Sequence, residues 1–270
     1  MTQPRMTSIP SAIAAAADYM PYAHERLDDN AWAYIASGAG DEITFRANRA
    51  VFDDLALNPR VLADVRSGNT ALTLFGKRFA HPILLAPVAY QRLVHPDGEL
   101  ASVQAAAALE AGMIVSTLAS HTLEDIARHA GAPLWFQLYV QPDRGFTREL
   151  VRRAEAAGYS ALVVTVDAPI AGIRNREQLV RFQLPEGIAP VNLCGMETPA
   201  PIPGAKSQVF DMLMAHAPTW KDIDDLRAAT RLPLIVKGIL RPDDAERALA
   251  AGADGVVVSN HGGRTLDSQP

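Results

Sequence analysis

Several polar side chains stand at or just after the ends of short apolar runs. They comprise hydroxyls, an amide, a phenol, a carboxylate, one lysine and one histidine: Ser116, Gln137, Tyr139, Thr165, Asp167, Lys237 and Ser259-Asn260-His261. In α/β barrels the reacting groups come from the C-terminal ends of the strands, so this set predicts one shared active-site mouth. The set lacks the cluster of carboxylates that a magnesium or glycosidase site requires, and we expect no metal.

The sharpest signal is His261 in the sequence SNHGGRTLD. It directly follows an apolar run, precedes Gly262-Gly263, and has Arg264 three residues further on. An imidazole takes up a proton near neutral pH, and a guanidinium holds a carboxylate in a bidentate pair. Together the two residues suit a substrate that carries an acid group and a removable proton.

Lys237, in PLIVKGI, has two interpretations on these grounds. It is either a Schiff-base lysine, as in barrel aldolases, or a fixed cation beside an electron-rich ring whose reduced form is anionic. Spacing in the sequence does not choose between them.

The apolar runs predict strands, because they are nearly continuous, as in strands buried on both faces. They cover residues 82–87, 113–119, 133–140, 161–168, 233–239 and 255–260. Ala-rich amphipathic segments between them predict helices, three of which, at 98–112, 145–158 and 241–252, close with Ala-Gly as a C-terminal cap. Strict alternation of strand and helix predicts βαβ units, a parallel sheet and the α/β class.

The predicted architecture is a (β/α)₈ TIM barrel of which this chain supplies about six strands. Residues 1–80 are a leader with helices near Ile9 to Tyr22 and Asp28 to Ala36, expected to cap the barrel. Residues 81–270 form the partial barrel. A Pro-rich segment at 170–218 is too long for an ordinary strand-to-helix connection. It is either an active-site lid or a flexible loop, and the lid is favoured.

Composition excludes several classes of protein. The 270 residues carry a formal net charge of -5, without the basic excess that nucleic-acid binding needs. The single cysteine, Cys194, excludes an intrachain disulfide and a thiolate zinc cluster. No run approaches the length of a membrane span, and the N-terminus lacks a signal-peptide core, so we expect a cytoplasmic protein.

Six segments together resemble one known family. They are YIASGAGDE (34–42), LAPVAYQRLVHPDGE (85–99), WFQLYV (135–140), LVRRAEAAGYSALVVTVDAP (150–169), LPLIVKG (232–238) and SNHGGRTLD (259–267). They are similar to the FMN-dependent 2-hydroxy-acid oxidases and dehydrogenases, such as glycolate oxidase, lactate oxidase and mandelate dehydrogenase. The resemblance runs from about residue 28 to the end of the chain.

The resemblance implies a role for each matching residue at the substrate. His261 would be the base that removes a substrate proton, with Asp167 supporting it. Arg264 and Tyr34 would hold the substrate carboxylate, and Arg174 matches a second arginine near it. Tyr139 would donate to the substrate hydroxyl. The implied reaction oxidises an (S)-2-hydroxy acid, lactate-like or mandelate-like, to the 2-oxo acid.

The resemblance also implies FMN as cofactor. Lys237 would lie against the N1 and O2 side of the flavin and stabilise its anionic reduced form, which disfavours the Schiff-base alternative. The other implied contacts are the backbone of Val88 and Ala89 and the side chains of Ser116, Gln137 and Thr165. Oxygen or another acceptor would reoxidise the flavin, and the family suggests a homotetramer.

The chain departs from the family in two respects. Family members continue past the position of Pro270 with two more strands and the motifs that hold the FMN phosphate, so a second hypothesis is a catalytically silent truncated barrel that cannot retain FMN. Leu118 stands where glycolate oxidase has a tryptophan, which makes side chains larger than that of glycolate plausible.

Overall fold

The computed structural model describes residues 6, 8–197 and 204–270. Its N-terminal part contains three helices, α1 (Tyr19–Arg26), α2 (Asp29–Ile35) and α3 (Ile43–Ala50), with 3₁₀ turns at Ala16–Asp18 and Val51–Asp54. A short antiparallel hairpin follows, formed by β1 (Leu72–Leu74) and β2 (Lys77–Phe79).

A single parallel sheet of six strands forms the body of the chain, in the order in which the strands occur in the sequence. The strands are β3 (Leu84–Leu85), β4 (Gly112–Ser116), β5 (Leu134–Leu138), β6 (Ala161–Thr165), β7 (Leu234–Ile239) and β8 (Gly255–Val258). Every residue of β4, β5 and β6 is buried, as the continuous apolar runs predict. The α/β class and the partial barrel of six strands are therefore confirmed.

Helices connect the strands, and all of them except the short Asn175–Leu179 helix pack on one face of the sheet. They are α4 (Gly98–Ala108), α5 (Leu123–Arg128), α6 (Arg144–Ala156), α7 (Asn175–Leu179), α8 (Trp220–Ala229) and α9 (Pro242–Ala250). Shorter turns lie at Gln91–Leu93, Val191–Leu193 and Met214–His216, and a π-helix at Gln208–Leu213. Side-chain caps begin α5 and α6, since Thr122 Oγ1 accepts from the Asp125 amide and Asp143 Oδ1 accepts from the Phe146 amide.

The two faces of the sheet bury different sets of residues. On the helix side, Phe136, Leu162 and Val236 pack into the large cluster that includes Leu150 of α6. On the other face, a smaller cluster joins the sheet to the hairpin; it comprises Phe79, Ile114, Trp135, Ala161, Val163 and Ile235. Because side chains alternate along a strand, the residue two positions after each member of this inner set points to the same side. For Ile114, Trp135, Val163 and Ile235 these residues are Ser116, Gln137, Thr165 and Lys237.

The structure corrects several predicted boundaries. The first predicted strand, 82–87, is reduced to Leu84–Leu85, because a proline at each end of that run cannot donate to a neighbouring strand. The helix expected near Ile9 to Tyr22 begins only at Tyr19 and continues to Arg26. Strands predicted to reach residues 119, 140 and 168 end at 116, 138 and 165, and the chain beyond them forms the loops of the site.

Two of the three predicted glycine caps are found. Gly158 after α6 and Gly252 after α9 have φ of +88° and +87°, in the left-handed region that favours glycine. Gly112 instead begins β4, and Glu110 takes the left-handed conformation, with φ +53°. The predicted cap at 112 is therefore wrong by two residues.

The burial of the sheet predicts that replacing two different leucines by alanine changes the free energy of unfolding by very different amounts. Leu138 in β5 is fully buried, whereas Leu57 is 96% exposed. We expect Leu138→Ala to lower the free energy of unfolding by about 2–5 kcal/mol through lost burial and a cavity. Leu57→Ala should change it by less than about 0.5 kcal/mol. Urea unfolding followed by circular dichroism measures both, and equal losses would contradict the packing described.

Candidate active site

The ends of three neighbouring strands form a hydrogen-bonded polar floor. Gln137 Oε1 accepts from Ser116 Oγ and from the Thr117 amide, both at 3.2 Å. Gln137 Nε2 donates to Thr165 Oγ1 at 3.0 Å. Both ends of the amide are thus held, so the orientation of the buried Gln137 side chain is fixed.

A histidine of the same site lies between a carboxylate and a phenol. His261 Nδ1 is 2.8 Å from Asp167 Oδ1, and His261 Nε2 is 3.4 Å from the Tyr139 hydroxyl. A carboxylate oxygen accepts hydrogen bonds, so Nδ1 is the donor in this pair and Nε2 is the ring nitrogen that can take a proton from a ligand. The Asp167 side chain is 7% exposed, and burial is the main cause that raises the pKa of the Tyr139 phenol above its ordinary value.

Gly238 makes room for this carboxylate. It lies at an irregularity in the pairing of β7 with β8, and its φ is +106°. A Cβ at this position would lie 2.4 Å from Asp167 Cγ. Any larger residue would therefore displace Asp167 from the position in which it reaches His261.

Lys237 is linked to the same histidine through Ser259. Lys237 Nζ donates to Ser259 Oγ at 3.2 Å, and the His261 amide donates to the same oxygen at 3.0 Å. Burial lowers the pKa of Lys237, while the nearby Asp167 carboxylate acts in the opposite direction. The Ser259 hydroxyl therefore joins the cation to the base.

Two arginines and a tyrosine form a second group across the cavity. The guanidinium carbons of Arg174 and Arg264 lie 5.9 and 5.3 Å from the centre of the Tyr34 ring. Arg174 Nη1 donates to the Arg264 carbonyl at 3.3 Å, and Arg264 Nη1 donates to the Ser37 carbonyl. Burial, followed by the charge of Arg174, lowers the pKa of Arg264, and burial raises the pKa of Tyr34.

These groups surround one cavity of about 720 Å³. The predicted site residues that line it are Tyr34, Val88, Ala89, Ser116, Gln137, Tyr139, Thr165, Arg174, Lys237, Ser259, His261 and Arg264. Asn260, also predicted at this mouth, does not line the cavity; its side chain pairs with Asn48. Asp167 stands behind His261. Because the sheet is parallel, residues far apart in sequence reach this one mouth at the C-terminal ends of the strands.

The predicted lid at 170–218 contributes part of the wall. Ile170, Leu193, Leu213 and residues 216–218 line the cavity. The stretch 198–203 of the predicted lid lies outside the described residues.

In the part of the chain that the structure describes, no group of three or more His, Cys, Asp or Glu residues is placed to hold a metal ion. No described helix is both long and apolar enough to cross a membrane.

The fold and the cavity define the class of α/β barrel enzymes that react at the C-terminal ends of their strands. Comparison with known proteins gives the family. The model of the family described as FMN-dependent dehydrogenase matches residues 23–270, and the chain belongs to this family. The resemblance seen in the sequence is thereby confirmed.

Individual relatives agree with this assignment. An L-lactate oxidase of Alicycliphilus denitrificans is 48% identical over 264 residues, which are 97% of this chain and 72% of the relative. A solved mandelate oxidase variant with (S)-mandelic acid has a TM-score of 0.84 and 40% identity, covering 96% of this chain and 71% of that one. Another, with a C4a-OH-FMN adduct, has a TM-score of 0.83 and 40% identity, covering 94% and 70%.

The residues present fit the flavin ring of FMN. An isoalloxazine carries polar atoms along one edge and an apolar ring at the other, and the cavity has a row of polar side chains on one side and Pro87, Val88 and Leu118 elsewhere. Among the described residues, Ser259 is the one hydrogen-bond partner of the Lys237 ammonium, so the remaining N–H groups of the lysine are available to a ligand. FMN is the cofactor of the family, as expected.

Two residues that shape the site were not predicted from the sequence. Gly238 follows Lys237 directly, but only the structure shows how close its α-carbon comes to Asp167. Glu177 pairs with Arg174 from three residues further along the chain. That i,i+3 spacing is typical of helical ion pairs, and it is the one feature of the sequence that indicates this contact.

Substitution of Gly238 tests how Asp167 is positioned. In Gly238→Ala the new methyl group should displace the carboxylate, so that His261 Nδ1 loses its acceptor and both neutral tautomers become populated. Nitrogen-15 NMR of the histidine ring measures this directly. Gly158→Ala is the matched control, because Gly158 also has positive φ but no neighbour within 4 Å of its Cβ position. An unchanged tautomer in Gly238→Ala would contradict the argument.

Proposed function

We propose that the protein oxidises an (S)-2-hydroxy acid, lactate-like or mandelate-like, to the 2-oxo acid. The observation that carries the proposal is His261, whose Nε2 is left as the proton acceptor by the bond of Nδ1 to Asp167 and which lies in the same cavity as Arg174, Arg264 and Lys237. FMN, when bound, supplies the acceptor of the two electrons that leave the substrate.

The first step in this proposal is binding of the acid. Arg174 and Arg264 hold the carboxylate, and Tyr34 lies beside both guanidinium groups. A bidentate pair with an arginine fixes the plane of the carboxylate as well as its position. The acid is thereby held with its C2 end directed to the histidine.

Proton transfer follows at His261. Nε2 takes a proton from the substrate, and the Asp167 carboxylate stabilises the imidazolium that forms. Tyr139, whose hydroxyl lies 3.4 Å from Nε2, donates to the substrate hydroxyl. The substrate loses two electrons and two protons: His261 takes one proton, and the two electrons and the second proton would pass to bound FMN, so the acid leaves as the 2-oxo acid.

The cofactor residues in the proposal are Lys237, the polar floor and the backbone of Val88 and Ala89. Lys237, Ser116, Gln137 and Thr165 lie on adjoining strand ends, with Thr165 paired to Lys237 in the sheet register. A cation at this position favours negative charge on a bound ring. The lysine therefore acts as a charge partner in this proposal.

The finer assignments belong to the same proposal. We infer a cytoplasmic protein that forms a homo-oligomer, with a tetramer as the expected state, and that passes electrons to oxygen or another acceptor. Exposed apolar side chains support association, since Leu57, Val61 and Leu62 are at least 83% exposed. The single free cysteine accords with a reducing compartment.

Replacement of the base tests the proposed reaction. His261→Gln should bind FMN as the parent chain does but lower the rate of 2-oxo acid formation from L-lactate or (S)-mandelate by about 10²- to 10⁴-fold. His129→Gln is the control, because His129 is bonded to the Asp125 carbonyl at the surface. Product is measured with excess FMN and an artificial electron acceptor. An undiminished rate in His261→Gln would remove His261 as the base.

Replacement of the lysine tests the cofactor site. Lys237→Met should weaken FMN binding by about 10-fold or more, because a hydrogen bond to a charged group contributes about 1.5–3 kcal/mol. Quenching of flavin fluorescence measures the dissociation constant. Lys221→Met serves as the control, since Lys221 pairs with Asp225 on the exposed side of α8. Equal FMN affinities in both variants would argue against a flavin contact.

A further inference from the structure

Glu177 lies between the two arginines of the cavity. Its Oε1 accepts from Arg174 Nε in a short hydrogen bond and is 3.7 Å from Arg264 Nη2. A single carboxylate oxygen therefore serves both guanidinium groups. Glu177 is three residues from Arg174 but 87 positions before Arg264, so the tertiary fold creates the shared contact.

This group of three charges is largely withdrawn from water. The side chains of Arg174, Glu177 and Arg264 are 16%, 14% and 22% exposed. Interactions between charges in such surroundings are screened less than those at the surface. The carboxylate of Glu177 therefore affects any anion that binds to the same arginines.

The pairing leaves donors for a ligand. Arg174 uses Nε and Nη1, and Arg264 uses Nη1 and Nη2, in the contacts that the structure shows. Within the described part of the chain, Arg174 Nη2 and Arg264 Nε have no protein partner. Both arginines line the cavity, whereas Glu177 does not. A ligand carboxylate is thus received by the arginines with Glu177 behind them.

The charged side chains in and directly behind the cavity lining leave one net positive charge. Its described lining contains three basic side chains that carry a positive charge when protonated, Arg174, Lys237 and Arg264, and no carboxylate. Two carboxylates stand directly behind that lining, Glu177 at the arginines and Asp167 at the histidine. Apart from the two histidines of the lining, one positive charge remains, which equals the charge of one bound carboxylate.

We propose that Glu177 is a specificity-determining residue that restricts the site to monoanionic 2-hydroxy acids and disfavours dianionic ones. This inference rests on the proposed function, because it assigns the arginine pair to the substrate carboxylate. A second carboxylate on the ligand would meet no further uncompensated cation and would lie near Glu177. Repulsion between Glu177 and the second carboxylate lowers the affinity of a dianionic acid more than that of a monoanionic acid.

The test compares propionate with malonate, which differ by a methyl group in place of a carboxylate. Neither has a hydroxyl group to oxidise, so binding is measured by calorimetry on the 270-residue chain with FMN in excess. The wild-type chain should prefer propionate. Glu177→Gln should shift the ratio of the two affinities toward malonate by about tenfold or more, because the dianion gains more from the added net charge.

Two further variants separate charge from structure. Glu177→Asp keeps the negative charge and should keep the preference of the wild-type chain for propionate. Glu186→Gln makes the same chemical change at an exposed position of the same segment and should have no effect. Circular dichroism shows that each variant is folded before binding is measured.

The outcomes distinguish a failure of the role given to Glu177 from a failure of the proposed function. A wild-type chain that binds propionate, together with an unchanged ratio in Glu177→Gln, overturns the role of Glu177 and leaves the proposed function standing. Loss of the preference in Glu177→Asp also overturns that role. A wild-type chain that binds neither acid and forms no 2-oxo acid from L-lactate overturns both.

Discussion

The hydrogen bond from His261 Nδ1 to Asp167 Oδ1 is the interaction on which the site depends. Asp167 follows the end of β6 and His261 follows the end of β8, so the bond ties together two strands that are separated by β7. The intervening strand permits the contact only because its residue at the crossing point is Gly238. Geometry of the sheet therefore determines which nitrogen of the histidine accepts a proton.

The loop that carries His261 and Arg264 is in turn held by the N-terminal part of the chain. Asn48 and Asn260 exchange side-chain amide hydrogen bonds, and the Ala39 amide donates to the Gly263 carbonyl at 2.7 Å. Asp267 accepts from the amides of Asp41 and Thr44 at the start of α3. This contact places Tyr34 beside Arg264, so residues before the barrel also shape the substrate side of the cavity.

The features best predicted from the sequence are those that follow from a single local pattern. Continuous apolar runs predicted the six strands, and the position of Gln137, Thr165 and Lys237 near the ends of these runs predicted that they meet at one mouth. Contacts between distant segments were not predictable in this way. The helix α3 and the β1–β2 hairpin are short and owe their stability to partners elsewhere, and the close approach of Gly238 to Asp167 depends on sheet register. The motif resemblance pointed to Arg174 and Tyr34, which spacing alone would not have joined.

The most direct test of this account is a titration of the purified 270-residue chain with FMN, followed by anaerobic addition of L-lactate or (S)-mandelate. Flavin absorption is recorded throughout. If Lys237 and the polar floor form a cofactor site beside His261, FMN should bind saturably and its visible band should bleach when the acid is added. Absence of saturable FMN binding, even with FMN in excess, would contradict the account and favour a barrel that carries the residues of the reaction without performing it.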